Sequence, residues 1–225
     1  RATPKQNSFL SDVALIACGT EFSICMDTSG VLFGFGRNHA HQLGLTSRES
    51  QLLPEKLPKI RDIKQIACGI AHTLILTLEG YVYSFGSDVE GAVGIYFPTQ
   101  TQNWIPGLSG IRSVSCGYHH SLCIDEYGKL WAWGRSEDGR LANRKPLPSI
   151  VSEPIKILQF DVALISGGGN HTIIKENSGS IWSCGRNKSG QLGLGHNSPV
   201  DVPIKIHDYS HIIRGRNNTK KSARK

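Results

Sequence analysis

The sequence predicts an all-β fold built from four related units in tandem. Glycines that anchor a common pattern stand at positions 19, 69, 117 and 168, so the units lie 50, 48 and 51 residues apart. The apolar runs between them are short, alternate with polar residues and end at glycine or proline, which is typical of strands joined by tight turns. A hydrophobic content of 39% in 225 residues is that of a folded globular chain.

Each unit begins with an apolar strand that leads into its anchor glycine. Three residues after the glycine comes an aromatic or histidine ring, and the next residue is a serine or threonine. The ring positions are Phe22, His72, His120 and His171, and the hydroxyl positions are Ser23, Thr73, Ser121 and Thr172. Alternating runs such as 63–67 and 73–77 lie on either side of the anchor, and they predict the first two strands of each unit.

The second half of each unit predicts two more strands. A further glycine, eleven residues after the anchor, opens an aromatic strand such as Lys129-Leu-Trp-Ala-Trp-Gly134, and a turn such as Asn187-Lys-Ser-Gly-Gln-Leu-Gly193 follows. The fourth strand is predicted around the prolines at 54, 106, 154 and 203. Because one small sheet cannot bury both of its faces, the four sheets are expected to stack radially, like blades.

These motifs in combination resemble the repeats of the regulator of chromosome condensation family. The similarity covers residues 13–206 and includes the Cys-Gly-x-x-His-Ser/Thr anchor, the Trp-x-Trp-Gly strand and the Gly-Gln-Leu-Gly turn. The resemblance implies a β-propeller with four visible blades, and since that family forms closed seven-bladed propellers, we expect these four to be part of a larger closed one.

The repeat boundaries follow from the anchors. Residues 1–12 are expected to be the edge of a preceding blade or a linker, and residues 210–225 a basic tail or the degenerate start of a fifth repeat. Between them lie four repeats, at 13–62, 63–110, 111–161 and 162–209.

The residues that invite a catalytic hypothesis are interpreted as structural. Catalysis requires a histidine in one constellation, whereas the ring position recurs in every unit. His39 and His41 lack further metal ligands, and the loop at 185–190 has Gln191 and Leu192 where a phosphate-binding loop requires lysine and serine or threonine. The cysteines recur in equivalent positions without a CxxC pair. We therefore expect no enzyme activity, catalytic residue, cofactor, metal ion or small-molecule substrate.

Two groups of residues are candidates for binding a protein partner, and a third for binding nucleic acid. Trp104 lies outside the aromatic positions of the repeat, so it is either an interface anchor or an edge-packing residue. Acidic loop residues are Asp88, Glu90, Glu137 and Asp138. Six basic residues near the C-terminus form a candidate nucleic-acid contact or nuclear-import signal: Arg214, Arg216, Lys220, Lys221, Arg224 and Lys225.

The charge distribution limits the nucleic-acid hypothesis to that tail. The net charge is +7, but without the six tail cations the chain has 19 basic and 18 acidic residues. A nearly neutral body gives no support for a folded nucleic-acid surface.

The function predicted is that of a protein-interaction scaffold or regulatory module that uses its loops. The resemblance implies an alternative, guanine-nucleotide exchange on a small GTPase of the Ran type, and the basic tail suggests another, chromatin association. No apolar run approaches the ~20 residues that a membrane helix requires, and no signal-peptide pattern is present, so no membrane contact is expected. The expected location is the cytoplasm, the nucleus or both.

Overall fold

The chain forms four antiparallel sheets of four strands each, one after another along the sequence. The computed structural model describes residues 8–96, 101–144, 146–157 and 159–206. Besides the strands, these residues contain one short 3-10 helix at Glu137–Gly139. The all-β propeller-type fold is therefore confirmed. Over the same residues, no helix has the length and apolar content needed to cross a bilayer.

We number the sheets as blades 1 to 4 in chain order. Blade 1 contains β1 (Val13–Cys18), β2 (Phe22–Asp27), β3 (Leu32–Gly36) and β4 (Gln51–Lys56). Blade 2 contains β5 (Ile63–Cys68), β6 (His72–Thr77), β7 (Val82–Gly86) and β8 (Asn103–Trp104). Blade 3 contains β9 (Ile111–Cys116), β10 (His120–Asp125), β11 (Leu130–Arg135) and β12 (Ile150–Ile157). Blade 4 contains β13 (Val162–Gly167), β14 (His171–Glu176), β15 (Ile181–Gly185) and β16 (Val200–Lys205).

The fourth strand of blade 2 differs from the sequence expectation. In the other blades this strand contains the predicted proline, Pro54, Pro154 or Pro203. In blade 2 it is the two-residue strand β8, which ends before Pro106. Pro106 lies two residues after the ladder partner of Tyr83, whereas Pro154 lies two residues before the ladder partner of Trp131, so Pro106 does not occupy the repeat position of the strand prolines. Ile105 N closes the sheet by donating to Val82 O at 3.0 Å, as Leu57 N does to Leu32 O in blade 1.

Consecutive strands pair in every blade, which gives the array two different ends. We call the end that contains the turns between first and second strands and the loops between third and fourth strands the loop face. The opposite end, the hairpin face, contains the turns between second and third strands and the linkers between blades. The first strands β1, β5, β9 and β13 pack against one another in sequence and form the inner side of the array.

Apolar side chains fill the spaces between blades. Ile24, Leu43, Ile75 and Phe85 belong to a core between blades 1 and 2, and a second core runs through blades 2 to 4 around the fully buried Trp133. The aromatic strand of the repeat therefore packs between blades, as its recurrence indicates.

The outer faces of blades 1 and 4 are left uncovered by the described residues. Ile181 of blade 4 is 41% exposed, whereas the residues in the same position of the other blades, Leu32, Val82 and Leu130, are at most 3% exposed. Ile16 of blade 1 is 77% exposed, against 8% for its counterpart Ile66. These faces have the composition of surfaces that a neighbouring blade covers elsewhere in the array.

Candidate functional site

The recurring histidines join neighbouring blades. Ser121 Oγ of blade 3 donates to Ala92 O of blade 2 at 2.8 Å and lies 3.0 Å from His72 Nε2. Because the hydroxyl proton is used on the carbonyl, His72 Nε2 must carry a proton and donate it to the hydroxyl oxygen. The next joint repeats this arrangement with His120, Thr172 and Arg140 O. The histidine, hydroxyl and carbonyl thus form one unit of inter-blade contact.

Burial keeps these two histidines neutral. It lowers the pKa of His72 to about 3 and that of His120 to about 3, with smaller effects from neighbouring basic groups. A Cβ at the anchor glycine Gly117 would lie 2.0 Å from Cε1 of His120. The anchor is therefore glycine because the ring lies directly on it, and we assign both histidines to blade packing.

His41 and His39 also have no described metal partners. His41 Nδ1 lies 2.8 Å from Leu45 O, and its Nε2 accepts a hydrogen bond from Arg48 Nε at 3.0 Å. No group of three metal-ligating side chains occurs among the described residues. His41 adopts a φ of 58° where the other blades have glycine, and its ring hydrogen bonds stabilise that turn.

All six cysteines are free thiols. Burial raises the pKa of Cys68 to about 12 and that of Cys184 to about 12, so both are protonated near neutral pH. Cys184 is a small core residue and Cys68 packs against the core, whereas Cys18 is exposed.

On the loop face, two of the predicted acidic residues lie on either side of one arginine. Arg135 Nη1 is 3.3 Å from Glu90 Oε1 in the loop of blade 2, and Arg135 Nη2 is 2.8 Å from Glu137 Oε2 in the loop of blade 3. These side chains are partly exposed, so the pairs contribute little to stability but orient the three charges. The loops of neighbouring blades therefore present a single charged surface.

A second arginine organises the next part of that surface. Arg140 Nη2 lies 3.2 Å from Asp138 Oδ2, Nη1 donates to Asn170 Oδ1 of blade 4 at 2.6 Å, and Nε donates to Glu137 O at 2.7 Å. Arg140 is 3% exposed. We call Glu90, Arg135, Glu137, Asp138 and Arg140 the loop-face cluster.

Sequence reasoning missed both arginines, although a signal for Arg140 was present. Arg140 replaces the glutamine of the Gly-Gln-Leu-Gly turn, which is Gln42 in blade 1 and Gln191 in blade 4. That departure from the repeat marks the position at which blade 3 gains its contacts to Asp138 and Asn170.

The surroundings of the cluster add a further titratable group and a cavity. Partial burial, reinforced by Arg135 and Arg140 and opposed by Glu90, lowers the pKa of His119. A cavity of about 410 Å³ lies beside the cluster, with Glu137, Asp138, Leu147 and Asp201 in its lining. It gives the surface a concave part that a protruding side chain can enter.

The remaining predicted site residues lie elsewhere. Asp88 is exposed at the start of the blade 2 loop, on the same face as the cluster, but outside the ion pairs of the described residues. Trp104 lies on β8, towards the hairpin face, and is not part of the cluster. The basic tail residues Arg214, Arg216, Lys220, Lys221, Arg224 and Lys225 lie outside the described residues.

Comparison with known families gives one match that covers most of the chain. Residues 1–219 match the profile of the RCC1-like domain.

Individual relatives match shorter stretches. A segment of 36 residues is 53% identical to the secretion-regulating guanine nucleotide exchange factor of Bos taurus, covering 16% of this chain and 8% of that protein. A segment of 60 residues is 38% identical to an RCC1 repeat-containing protein of Schizosaccharomyces pombe, covering 26% of this chain and 17% of that protein. The matched part is thus a small fraction of each relative.

Among solved structures, the fold is similar to that of Prp20p from Saccharomyces cerevisiae, a protein described with its binding properties to Gsp1p and histones. The TM-score is 0.82 at 24% identity, and the match covers 92% of this chain and 54% of the yeast chain. The chain therefore spans about half the length of this structural relative, and the likeness concerns the fold.

Proposed function

The chain belongs to the RCC1-like domain family, and we propose that it is a protein-interaction module whose loop face binds a protein partner. The observation that carries the proposal is the loop-face cluster, in which loops from two neighbouring blades hold alternating charges around Arg135. Positive and negative side chains that ion pairs hold in place beside a concave surface favour binding of a specific protein partner. Complementary charges on the partner would guide its approach and fix its orientation.

A rigid array suits this role. The blades are fixed to one another by buried hydroxyl and histidine hydrogen bonds, and the loops that they carry differ from blade to blade. Loops on a rigid scaffold can vary for binding without loss of the fold.

Charge reversal tests the loop face. We expect Arg135→Glu to lose the partner proteins that the unmodified chain retains in affinity capture, because it places a third carboxylate between Glu90 and Glu137. Glu126→Lys is the matched control, since Glu126 is exposed on the hairpin face of the same blade. Equal retention by Arg135→Glu and the unmodified chain would contradict the proposal.

A finer proposal is guanine-nucleotide exchange on a small GTPase. The name of the bovine relative and the Gsp1p binding described for Prp20p support it. Exchange requires no covalent chemistry from this chain, only tighter binding to the nucleotide-free GTPase than to the loaded one. The acidic residues of the loop face, with Asp88 beside them, are the candidate contacts.

Release of a fluorescent nucleotide from a panel of small GTPases, including Ran, tests the finer proposal. We expect acceleration with one GTPase, and its loss in Glu90→Lys with Glu137→Lys. Absence of acceleration across the panel would contradict exchange activity and leave the interaction module in place, because the capture experiment reads binding alone.

Chromatin association through the basic tail is the third candidate. It is supported by the six cations at positions 214–225 and by the histone binding described for Prp20p. Phosphate contacts of this kind weaken steeply as salt rises, so binding to DNA that does not weaken between low and physiological salt would contradict it.

A further inference from the structure

Trp104 stands where the other three blades have a lysine. In blades 1, 3 and 4 an aromatic residue of the third strand pairs across the ladder with a lysine of the fourth strand, and the pairs are Phe33–Lys56, Trp131–Lys156 and Trp182–Lys205. In blade 3 the ammonium of this lysine lies 5.2 Å from the centre of the indole ring. In blade 2 the corresponding pair is Tyr83–Trp104. Blade 2 thus has, in place of this lysine, an indole that is 51% exposed.

The hairpin between β6 and β7 of blade 2 also differs from the repeat, because it has exposed aromatic and apolar side chains. Tyr81 is 43% exposed, and its ring lies 6.5 Å from that of Trp104 in an edge-to-face arrangement. Leu78 of the same hairpin is also exposed. The equivalents of Leu78 are polar, namely Thr28, Glu126 and Asn177. We call Leu78, Tyr81 and Trp104 the blade 2 aromatic patch.

At the linker between blades 1 and 2, two cations line a cavity that reaches Tyr83, the ladder partner of Trp104. A cavity of about 280 Å³ there is lined by Lys59, Arg61, Glu79 and Tyr83, among others. Lys59 and Arg61 are exposed and form no ion pair with any described residue. Glu79 is the one carboxylate among the cavity-lining residues, so two cations face one anion.

We propose that the blade 2 aromatic patch and the adjoining cations bind an extended acidic peptide segment of a partner protein. An apolar side chain of the peptide packs on the edge-to-face Tyr81–Trp104 pair, because rigid aromatic rings give large contact area at low entropic cost. Its carboxylates pair with Lys59 and Arg61, with the guanidinium suited to a bidentate contact. This surface lies away from the loop face and does not depend on the function proposed for that face.

Selection from a random peptide library tests the proposal. We expect the chain to enrich peptides that carry aspartate or glutamate next to an apolar residue. Trp104→Lys installs the residue that three blades already have, so the fold is retained. It is expected to weaken binding of the selected peptides, measured by fluorescence polarisation, about tenfold or more.

Two further variants test whether a loss of peptide binding is specific to this surface. One rules out a folding defect, and the other rules out that an exposed tryptophan anywhere on the chain binds the peptides. Lys59→Glu with Arg61→Glu changes only exposed residues and is expected to abolish binding of the acidic peptides. Lys205→Trp added to Trp104→Lys places a tryptophan at the same position of blade 4, where the patch is missing, and is expected not to restore binding. Enrichment of no peptide, enrichment of non-acidic peptides, or unchanged affinity in Trp104→Lys would overturn the proposal.

Discussion

At the scale of single residues, the inter-blade joints account for why histidine and a hydroxyl residue recur together. The hydroxyl of Ser121 donates a hydrogen bond to Ala92 O and accepts one from His72 Nε2. A serine or threonine provides both a donor and an acceptor in a small volume, and a neutral histidine supplies the matching N–H. The protonated ring also carries this N–H, so it is burial that keeps the ring of the joint uncharged, by lowering its pKa.

Acid is expected to weaken these joints before it affects the carboxylates. The pKa of His72 and of His120 is about 3 in the folded chain, below the ordinary 6.5. Their contribution is complete above pH 6.5 and falls as the pH decreases towards 3, because the unfolded chain then binds protons that the folded chain excludes. Each should cost about 1.4 kcal/mol of unfolding free energy per pH unit in that window.

Denaturant unfolding between pH 7 and pH 4 measures this slope. His120→Gln, which does not titrate, should be less stable at pH 7 but show a shallower slope. Asp125 does not interfere, because hydrogen bonds and Lys156 hold its pKa below 3.8 against the effect of burial, and its contribution is lost only at lower pH. Identical slopes for the two proteins would be evidence against neutral, buried histidines.

Removal of one hydroxyl tests the joint itself. Ser121→Ala leaves the N–H of His72 buried without a partner and is expected to lower the unfolding free energy by about 2 kcal/mol. Ser23→Ala is the matched control. Ser23 occupies the same repeat position, but its described contact is a weak one, to Cys18 Sγ at 3.8 Å, so the expected change is below about 0.5 kcal/mol. Similar losses in both variants would show that the joint is not the cause.

The recurrence of residues predicted the structural role of the histidines but not the pairing of the loop charges. Because equivalent positions recur in four units, their role in packing can be recognised from the sequence alone. Glu90 and Glu137 meet at Arg135 only because blades 2 and 3 stack, and no local pattern encodes the distance between loops that lie 47 residues apart in sequence.

At the scale of elements, the anchor glycine determines how closely a turn approaches the next ring and the next blade. A methyl group at Gly117 would lie 2.0 Å from His120 Cε1 and 2.5 Å from Gly168 O. Neither the ring nor the backbone of blade 4 has room to move in a packed interface. The position is therefore closed to any side chain.

Gly117→Ala is accordingly expected to destabilise the chain by about 3 kcal/mol, at the upper end of the usual cost of overpacking. Gly179→Ala serves as the comparison, because Gly179 has a φ of 88° but open space around it. Only the backbone strain of about 1 kcal/mol should appear there. Thermal or denaturant unfolding compares the two, and a larger loss in Gly179→Ala would refute this explanation.

The elements themselves were largely predictable, with blade 2 as the exception. Three blades have the predicted fourth strand around a proline, whereas β8 consists of two residues and ends before Pro106. Pro106 follows the ladder partner of Tyr83, whereas Pro154 precedes the ladder partner of Trp131, so the proline is not a reliable marker of the fourth strand in blade 2.

At the scale of the whole molecule, the four blades form an array with two chemically different ends. The loop face presents the loop-face cluster, and the hairpin face presents the aromatic patch of blade 2. Periodicity predicted the blades and their stacking, but each of the two proposed binding surfaces contains a departure from the repeat, Arg140 in one and Trp104 in the other. A residue that differs from the repeat can be recognised in the sequence. Its role, however, depends on which side chains surround it in the folded chain.

The most direct test of the central claim is hydrogen exchange of the chain with and without a captured partner. Binding through the loop face predicts slower exchange in the loop-face turns of blades 2 to 4, at residues 88–91, 117–119, 136–139 and 168–170. No change is expected in the hairpin-face turns of blades 3 and 4, at 126–129 and 177–180. Protection confined to these hairpin turns would contradict binding through the loop face.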